Sequence, residues 1–178
     1  MEFDRVIQKR TAIRSFQEDK VVEKDKIVKI LEAGRLAPTA KNLQPQKIFV
    51  ISSQEGLAKL DKATPCRYQA PVVLLVCVDR SKVFSKNNHD TAEIDGSIVA
   101  THMMLEAGSL GLGSVWISYF DQKKAKTLLN IPENWKSVCM LYIGYPSEDF
   151  VPNTHLGGHR KPLNETCFYN DINTNIEV

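Results

Sequence analysis

The sequence predicts one domain that mixes helices and strands, with at least one strand covered on both faces. The chain has 178 residues, of which 43% are hydrophobic and 25% charged, enough for one sizeable core. Amphipathic segments of helical period alternate with short apolar segments of strand length. One of these, 71–78, is almost entirely apolar, as expected for a strand buried on both sides.

The elements follow from periodicity and from their end signals. Periodicity predicts helices at 3–9, 20–37, 54–63, 90–110 and 122–129, and strands at 47–51, 71–78, 114–117 and 137–143. Asp90 and Glu93 have the spacing of a capping box at the start of the fourth helix, and Gly111 is expected to end it. Asp121 is expected to cap the fifth helix. The polar segments 80–89 and 147–178 predict loops.

Composition and charge exclude several classes of protein. A net charge of +2, with basic and acidic residues interspersed, does not fit a nucleic-acid binder. No apolar run has the length of a membrane span, and the first residues do not predict a signal peptide. The four cysteines form no CxxC pair, and Cys77 and Cys139 lie in apolar strands. We therefore expect free thiols and a cytoplasmic protein.

Two arginines stand in a short segment after the first helix, 10–16. In an extended chain, alternate side chains share a side, so Arg10, Ala12 and Arg14 would point the same way. Two guanidinium groups projecting together suit a phosphate or an electron-rich heterocycle, because each is always charged and offers a fixed fork of donors. The alternative is a pair of surface arginines bound to Glu18 and Asp19.

A second polar stretch, 37–45, joins a helix to a strand. Prolines at both ends stop the helix and exclude the stretch from a central strand. Between them, Thr39, Asn42 and Gln44 present hydrogen-bonding groups on a rigid connection. The alternative is an ordinary helix-to-strand loop.

Two further patterns do not predict a site. Gly111 and Gly113 follow a helix and precede a strand, which is the reverse of the order in a dinucleotide-binding fingerprint. His155 and His159 have the spacing of a metal pair, but no third acidic or cysteine ligand stands near them. We therefore expect neither a Rossmann site nor a bound metal.

Four blocks, in this order and spacing, resemble the nitroreductase family of flavin mononucleotide (FMN) enzymes. They are residues 10–16, 37–45, 111–116 leading into Ser118 and Asp121, and 144–146 with 160–163. The resemblance implies an α+β fold, with helices flanking a central, mostly antiparallel sheet, in an obligate homodimer. It also implies non-covalent FMN at the subunit interface. A single FMN-binding domain would cover 1–169, and 170–178 would form a C-terminal tail.

The same resemblance assigns site residues position by position. Arg10 and Arg160, with Lys161, would hold the FMN phosphate, and Arg14 would lie near the pyrimidine edge of the ring. Ala12 stands where the family often has serine. Residues of the second block would reach the flavin of the other subunit, and the backbone after the 114–117 strand would face flavin N5 and O4. The full cofactor-binding set is Arg10, Thr11, Ala12, Arg14, Pro38, Thr39, Ala40, Asn42, Ser118, Tyr119, Arg160 and Lys161.

The activity that the resemblance implies is that of an FMN-dependent oxidoreductase. Hydride would pass from NAD(P)H to flavin N5, and electrons would then pass to a nitroaromatic, quinone or similar small acceptor by a ping-pong cycle. The flavin carries this chemistry, so no catalytic side chain is expected. Two alternatives stay open: an FMN protein of the same fold with dehalogenase-like or ring-modifying chemistry, and a flavin-binding protein without turnover.

Overall fold

The computed structural model of the protein describes residues 2–87, 89–151, 160–172 and 174. The helices are α1 (Phe3–Lys9), α2 (Lys24–Leu36), α3 (Gln54–Asp61), α4 (Ala92–Ser109) and α5 (Gln122–Leu129). The strands are β1 (Gln46–Ile51), β2 (Val72–Asp79), β3 (Ser85–Lys86), β4 (His89–Asp90), β5 (Gly113–Ile117) and β6 (Trp135–Gly144). Short 3-10 turns lie at Ala40–Asn42, Arg80–Lys82 and Leu163–Glu165.

The main sheet has four strands in the order β1-β2-β6-β5, and every pair in it is antiparallel. The strands β3 and β4 form a separate antiparallel hairpin. The predicted α+β fold with an antiparallel sheet is therefore confirmed. The sheet has two edges, β1 and β5, and these edges carry the two polar blocks of the sequence.

Helices cover both faces of the sheet. On one face, α2 and α4 pack on β2 and β6 through side chains such as Ile30, Met103 and Leu74. On the other face, α3 and α5 pack on the same strands through Leu60 and Ala125. All eight residues of β2 are buried, as its unbroken apolar sequence predicts.

Small residues let α2 and α4 approach closely. A Cβ added at Gly34 of α2 would lie 2.8 Å from Met103 Cγ of α4, closer than real side chains tolerate. A Cβ added at Gly96 of α4 would lie 2.6 Å from Val138 Cγ2 of β6. These contacts fix α4 between α2 and the sheet, and they account for the small residues along its sequence.

The start of α4 differs from the prediction. The N-cap is Thr91, and no side-chain bond of a capping box forms. The Asp90 carboxylate instead accepts a hydrogen bond from the Ala92 N–H at 3.1 Å, while Glu93 pairs with Lys136 of β6. The capping-box interpretation is therefore wrong, because both acidic side chains take other partners. Two other end signals are confirmed: Gly111 has φ +77° after α4, and Asp121 accepts from Lys124 N–H at the start of α5.

Two segments also depart from the predicted elements. The helix expected from residue 20 begins at Lys24, because Val22 is buried in the core and Glu23 has an extended backbone. The expected loop 80–89 contains the β3–β4 hairpin. The Thr91 N–H donates to the Phe84 carbonyl at 3.1 Å, which brings the two ends of the hairpin together.

The burial of two thiols agrees with the sequence. Cys77 and Cys139 are buried on opposite faces of the sheet, and the four cysteines are free. Burial raises the pKa of both buried thiols. In the described part of the chain, no helix combines the length and apolar character that crossing a bilayer requires.

Candidate functional site

The segment after α1 lies along the free edge of β5. Ala12 forms a parallel bridge with Ser114, and the Ile13 N–H donates to the Ser114 carbonyl at 3.0 Å. Ile13 is buried in the core, whereas Arg10 and Arg14 are half-buried. Ala12, between the two arginines, packs against the core, so strict alternation does not hold along the whole segment. In an extended segment the Cα atoms of the two arginines are separated by up to about 13 Å.

Two cations meet at the Arg10 end of this segment. Burial lowers the pKa of Arg10, and the charge of Arg160 lowers it further, which places the two guanidinium groups near each other. A cavity of about 250 Å³ opens beside Arg10 and Thr11, against the start of β5. Glu18 pairs with Arg67 at 3.4 Å. The Glu18 part of the alternative is therefore wrong, whereas the part that pairs the first-segment arginines with Asp19 stays untested.

The Arg14 end is bordered by the loop before β2. Burial raises the pKa of the Tyr68 hydroxyl, its contact with the Cys66 thiol raises it as well, and the nearby Arg14 guanidinium opposes this rise. The Phe16 N–H donates to the Tyr68 carbonyl at 3.2 Å, so the two segments are joined through their backbones. Tyr68 and Gln69 both have positive φ, at 52° and 63°. This turn carries the Tyr68 side chain to Arg14.

The backbone after β5 is held by two side chains. The Trp116 Nε1–H donates to the Ser118 hydroxyl at 2.9 Å, and the Thr64 hydroxyl donates to the Tyr119 carbonyl at 2.8 Å. The Ser118 carbonyl accepts from the Phe120 N–H at 3.2 Å. These three hydrogen bonds hold the segment between β5 and α5 in place. A cavity of about 380 Å³ adjoins this segment.

The second polar block forms a rigid projection, here called the arm, which comprises residues 38–45. Lys41, Asn42 and Gln44 all have left-handed backbones, with φ of 51°, 55° and 49°. The Gln44 N–H donates to the Thr39 hydroxyl at 3.0 Å, and the Gln44 Nε2 donates to the Asn42 carbonyl at 3.3 Å. The arm is therefore fixed by its own side chains, as its sequence predicts.

One side of the arm faces its own subunit. The Ala40 N–H donates to the Asp95 carboxylate of α4 at 2.9 Å. Pro38 and Asn42 are exposed, and Thr39 is half-buried. The exposed part of the arm thus lies on the side away from α4.

The predicted residues form two separate groups in one chain. The arm leads into β1, whereas Arg10, Arg14 and Ser118 lie along or directly after β5, at the other edge of the sheet. Three strand spacings of about 4.8 Å separate the two edge strands, or about 14 Å in all. The chain therefore brings together Arg10 with Arg160, and Arg14 with the loop before β2, but it holds the arm at the opposite edge.

Lys161, the chain neighbour of Arg160, has an ion-pair partner of its own. Lys161 pairs with Glu165 at 3.6 Å, so its ammonium group has a local carboxylate partner. His155 and His159 lie outside the described residues. Within the described ranges, no three His, Cys, Asp or Glu side chains come together as metal ligands would.

Sequence reasoning missed three supporting residues. Asp95 binds the arm, Thr64 binds the Tyr119 carbonyl, and Trp116 binds the Ser118 hydroxyl. Trp116 is the last residue of the 111–116 block, although no role was expected for its side chain. Asp95 and Thr64 lie outside the four blocks, and no sequence signal pointed to them.

Comparisons with known proteins bear on the family of this chain. The profile of the nitroreductase family matches residues 7–67 and 64–145. A protein of Archaeoglobus fulgidus, named as a candidate NADH dehydrogenase/NAD(P)H nitroreductase, is 32% identical over 152 residues, which cover 82% of this chain and 86% of that protein.

Solved structures give the same result. The crystal structure of a nitroreductase family protein from Clostridium difficile 630 superposes with a TM-score of 0.88 at 40% identity, covering 96% of this chain and 99% of the other. An FMN-dependent nitroreductase from C. difficile R20291 superposes with a TM-score of 0.74 at 28% identity, covering 93% and 98%. The profile match, the sequence identity and the shared fold together show that this chain belongs to the nitroreductase family.

Proposed function

We propose that the protein is an FMN-dependent oxidoreductase that takes hydride from NAD(P)H and reduces a small acceptor such as a nitroaromatic or a quinone. The observation that carries this proposal is the pair of neighbouring guanidinium groups, Arg10 and Arg160, at one end of the β5 edge. Family membership and the FMN-dependent relative support the same cofactor.

The residues at this edge fit FMN. Burial, and to a lesser degree the charge of Arg160, lower the pKa of Arg10, and an anion bound beside both side chains would favour their charged forms. A phosphate suits guanidinium donors, because its oxygens accept paired N–H bonds. Arg14, up to about 13 Å further along the segment, supplies a second permanent cation for the ring. The charge distribution therefore matches a molecule with an anionic group at one end and an electron-rich ring at the other.

The chain's own residues bind and orient. We assign Arg10 and Arg160 to the phosphate, with Thr11 beside them in the cavity, and Arg14 to the pyrimidine edge. The N–H groups of Ser118 and Tyr119 would contact the ring, since Trp116 and Thr64 hold this segment in place. When bound, FMN would supply the redox chemistry, namely hydride acceptance from NAD(P)H and electron transfer to the acceptor, which we propose follows a ping-pong cycle.

We propose that the working unit is a homodimer with FMN at the subunit interface. One chain carries the arm and the β5 group at opposite edges, so both groups reach one flavin most simply when the arm comes from a second copy. Exposed apolar side chains support such an interface, including Ile94 of α4 and Leu36 and Leu43 next to or within the arm.

We also propose that the protein works in the cytoplasm. The buried, unpaired thiols agree with a reducing, cytoplasmic setting.

The test begins with the purified protein. It should be yellow, with absorbance at about 450 nm that bleaches anaerobically on addition of NADH or NADPH and returns when an acceptor is added. Double-reciprocal plots for NAD(P)H and acceptor should be parallel. Colourless protein that takes up no added FMN would contradict the proposal, and intersecting lines would contradict the ping-pong cycle.

The same experiment separates the alternatives. A yellow protein that no nicotinamide bleaches would be a flavin-binding protein without this turnover. A protein that bleaches but reoxidises only with a halogenated or ring substrate would belong to the class with other chemistry. Parallel measurements with NADH and NADPH also identify the preferred donor.

A further inference from the structure

Asp95 is a buried carboxylate that the proposed chemistry does not use. It lies in the first turn of α4, and only 1% of its surface is exposed. Both of its oxygens have partners: Oδ1 accepts from the Ala40 N–H at 2.9 Å, and Oδ2 accepts from the Thr91 hydroxyl at 2.8 Å. Charged side chains are seldom buried to this degree without a specific role.

The bond from Ala40 to Asp95 holds a strained segment. The arm has three non-glycine residues in the left-handed region within four positions. For residues other than glycine this conformation costs about 1–2 kcal/mol each, with less for asparagine. Such a segment keeps one conformation only when surrounding contacts determine it. Asp95 provides the contact that ties the arm to a helix of the core.

The arm also contacts the start of α4 indirectly, through the β3–β4 hairpin. The Thr91 hydroxyl that binds Asp95 belongs to the residue whose N–H donates to the Phe84 carbonyl at 3.1 Å. The Phe84 ring in turn lies under the Lys41 ammonium of the arm, 4.4 Å from ring centroid to Nζ. The arm, the hairpin and the start of α4 therefore form a ring of contacts in which Asp95 is the buried member.

We propose that Asp95 is a positioning residue of the flavin site. Its carboxylate fixes the arm before the cofactor arrives, so that Thr39 and Asn42 are already placed for the flavin of the partner subunit. This inference rests on the proposed function, because it assumes that the arm contacts a flavin. A ligand-binding segment that is ordered in advance binds more tightly, because less conformational entropy is lost on binding.

The test compares Asp95→Ala with Asp95→Asn in the full-length protein. Asparagine keeps an oxygen for the Ala40 N–H, and its NH₂ can donate to the Thr91 hydroxyl, whereas alanine removes both bonds. Glu93→Ala is the matched control, because it removes an exposed carboxylate from the same helical turn. Three quantities are measured: exchange of the Ala40 amide hydrogen by NMR in FMN-free protein, the Kd for FMN by fluorescence titration, and Tm.

In Asp95→Ala we expect at least about tenfold faster exchange at Ala40 and a Kd for FMN raised about tenfold, the scale of one lost hydrogen bond. Asp95→Asn and Glu93→Ala should stay within about threefold of the original protein in both measurements. An unchanged Kd in Asp95→Ala, or an Asp95→Asn variant as impaired as the alanine variant, would overturn the inference.

If Asp95→Ala does not fold, Thr91→Val removes only the hydroxyl that supports Oδ2. It should speed exchange at Ala40 and raise the Kd for FMN severalfold, and unchanged values would overturn the inference. A protein that binds no FMN before any substitution would contradict the proposed function instead. In that case the exchange rate at Ala40 still measures whether Asp95 holds the arm.

Discussion

Replacing Arg10 with alanine removes one of the two cations at the expected phosphate end. Arg10 follows α1 directly, and its N–H is bound to the Val6 carbonyl at 2.9 Å, so the backbone at this position belongs to the end of the helix. The side chain is half-buried, and Arg10 is not one of the hydrophobic residues that form the two core clusters. The substitution should therefore change the charge of the site and leave the fold intact.

The size of the effect follows from the surroundings of Arg10. A hydrogen bond to a charged group contributes about 1.5–3 kcal/mol, which corresponds to about a tenfold to 140-fold increase in the Kd for FMN. Arg160 stays in place, so binding should weaken without disappearing. Damage to the fold would lower the stability of the FMN-free variant, whereas loss of this charge should not. Burial and the like charge of Arg160 both disfavour the charged side chain of Arg10, so the FMN-free variant should be at least as stable as the original protein.

The assay is a fluorescence titration of FMN into cofactor-free protein, with Tm measured on the same samples. Arg5→Ala is the matched control, because it removes an exposed arginine from α1 and should leave the Kd within about twofold. An unchanged Kd in Arg10→Ala would mean that Arg10 does not bind FMN. A raised Kd accompanied by a lower Tm in the FMN-free state would show that the effect comes from the fold and would refute the charge argument.

Three further predictions concern packing, thiol reactivity and acid stability. Gly96→Ala should lower the free energy of unfolding by about 1–3 kcal/mol, because the added Cβ would lie 2.6 Å from a side-chain carbon of β6. The control is Gly108→Ala on the same helix, whose Cβ would meet nothing nearer than 3.7 Å. In thermal unfolding this control should be neutral or slightly stabilising. Cys77 and Cys139 should remain unmodified by a thiol reagent at about pH 8, while the other two cysteines react. Burial raises the pKa of the Cys77 and Cys139 thiols and excludes the reagent from them. Mass spectrometry after brief labelling counts the modified cysteines. Hydrogen bonds from a neighbouring serine hold the pKa of Asp79 below its usual value, so its stabilising contribution is present above about pH 4 and is lost as the pH falls through the lowered pKa. Asp79→Asn should therefore show a shallower fall of Tm with acid, and an identical slope would contradict this assignment.

The sequence was sufficient wherever the signal was local. Periodicity predicted α5 from Gln122 to Leu129 as observed, and Ile13 is buried whereas Arg10 and Arg14 are half-buried, although Ala12, expected on the arginine side, packs against the core. The capping box at Asp90 failed for a reason that no local pattern contains. Glu93 forms an ion pair with Lys136 of β6, more than forty residues later in the chain. The tertiary fold therefore determines whether Glu93 binds the start of its own helix or this lysine.

The residues that hold the site in place were the hardest to predict. A carboxylate such as Asp95, in the first turn of a helix, is ordinarily explained by the helix dipole, so its sequence position gave no reason to connect it with the arm. Arg160 lies 150 positions after Arg10, and only the family resemblance suggested that the two would meet. Local chemistry thus suggested which residue types suit a ligand, and the path of the chain determines which of them come together.

The position of the arm links cofactor retention to the oligomeric state. The arm and the Arg10 segment lie at opposite edges of the sheet, so a separated subunit offers a flavin only the β5 group of contacts. If the arm closes the site of a second copy, FMN should be released over the same range of protein concentration in which dimers dissociate. Sedimentation velocity, recorded at about 450 nm for flavin and at about 280 nm for protein across a dilution series, follows both events together. A monomer that carries flavin with the full affinity of the dimer would mean that the arm contacts no flavin, and its strained conformation would then need another explanation.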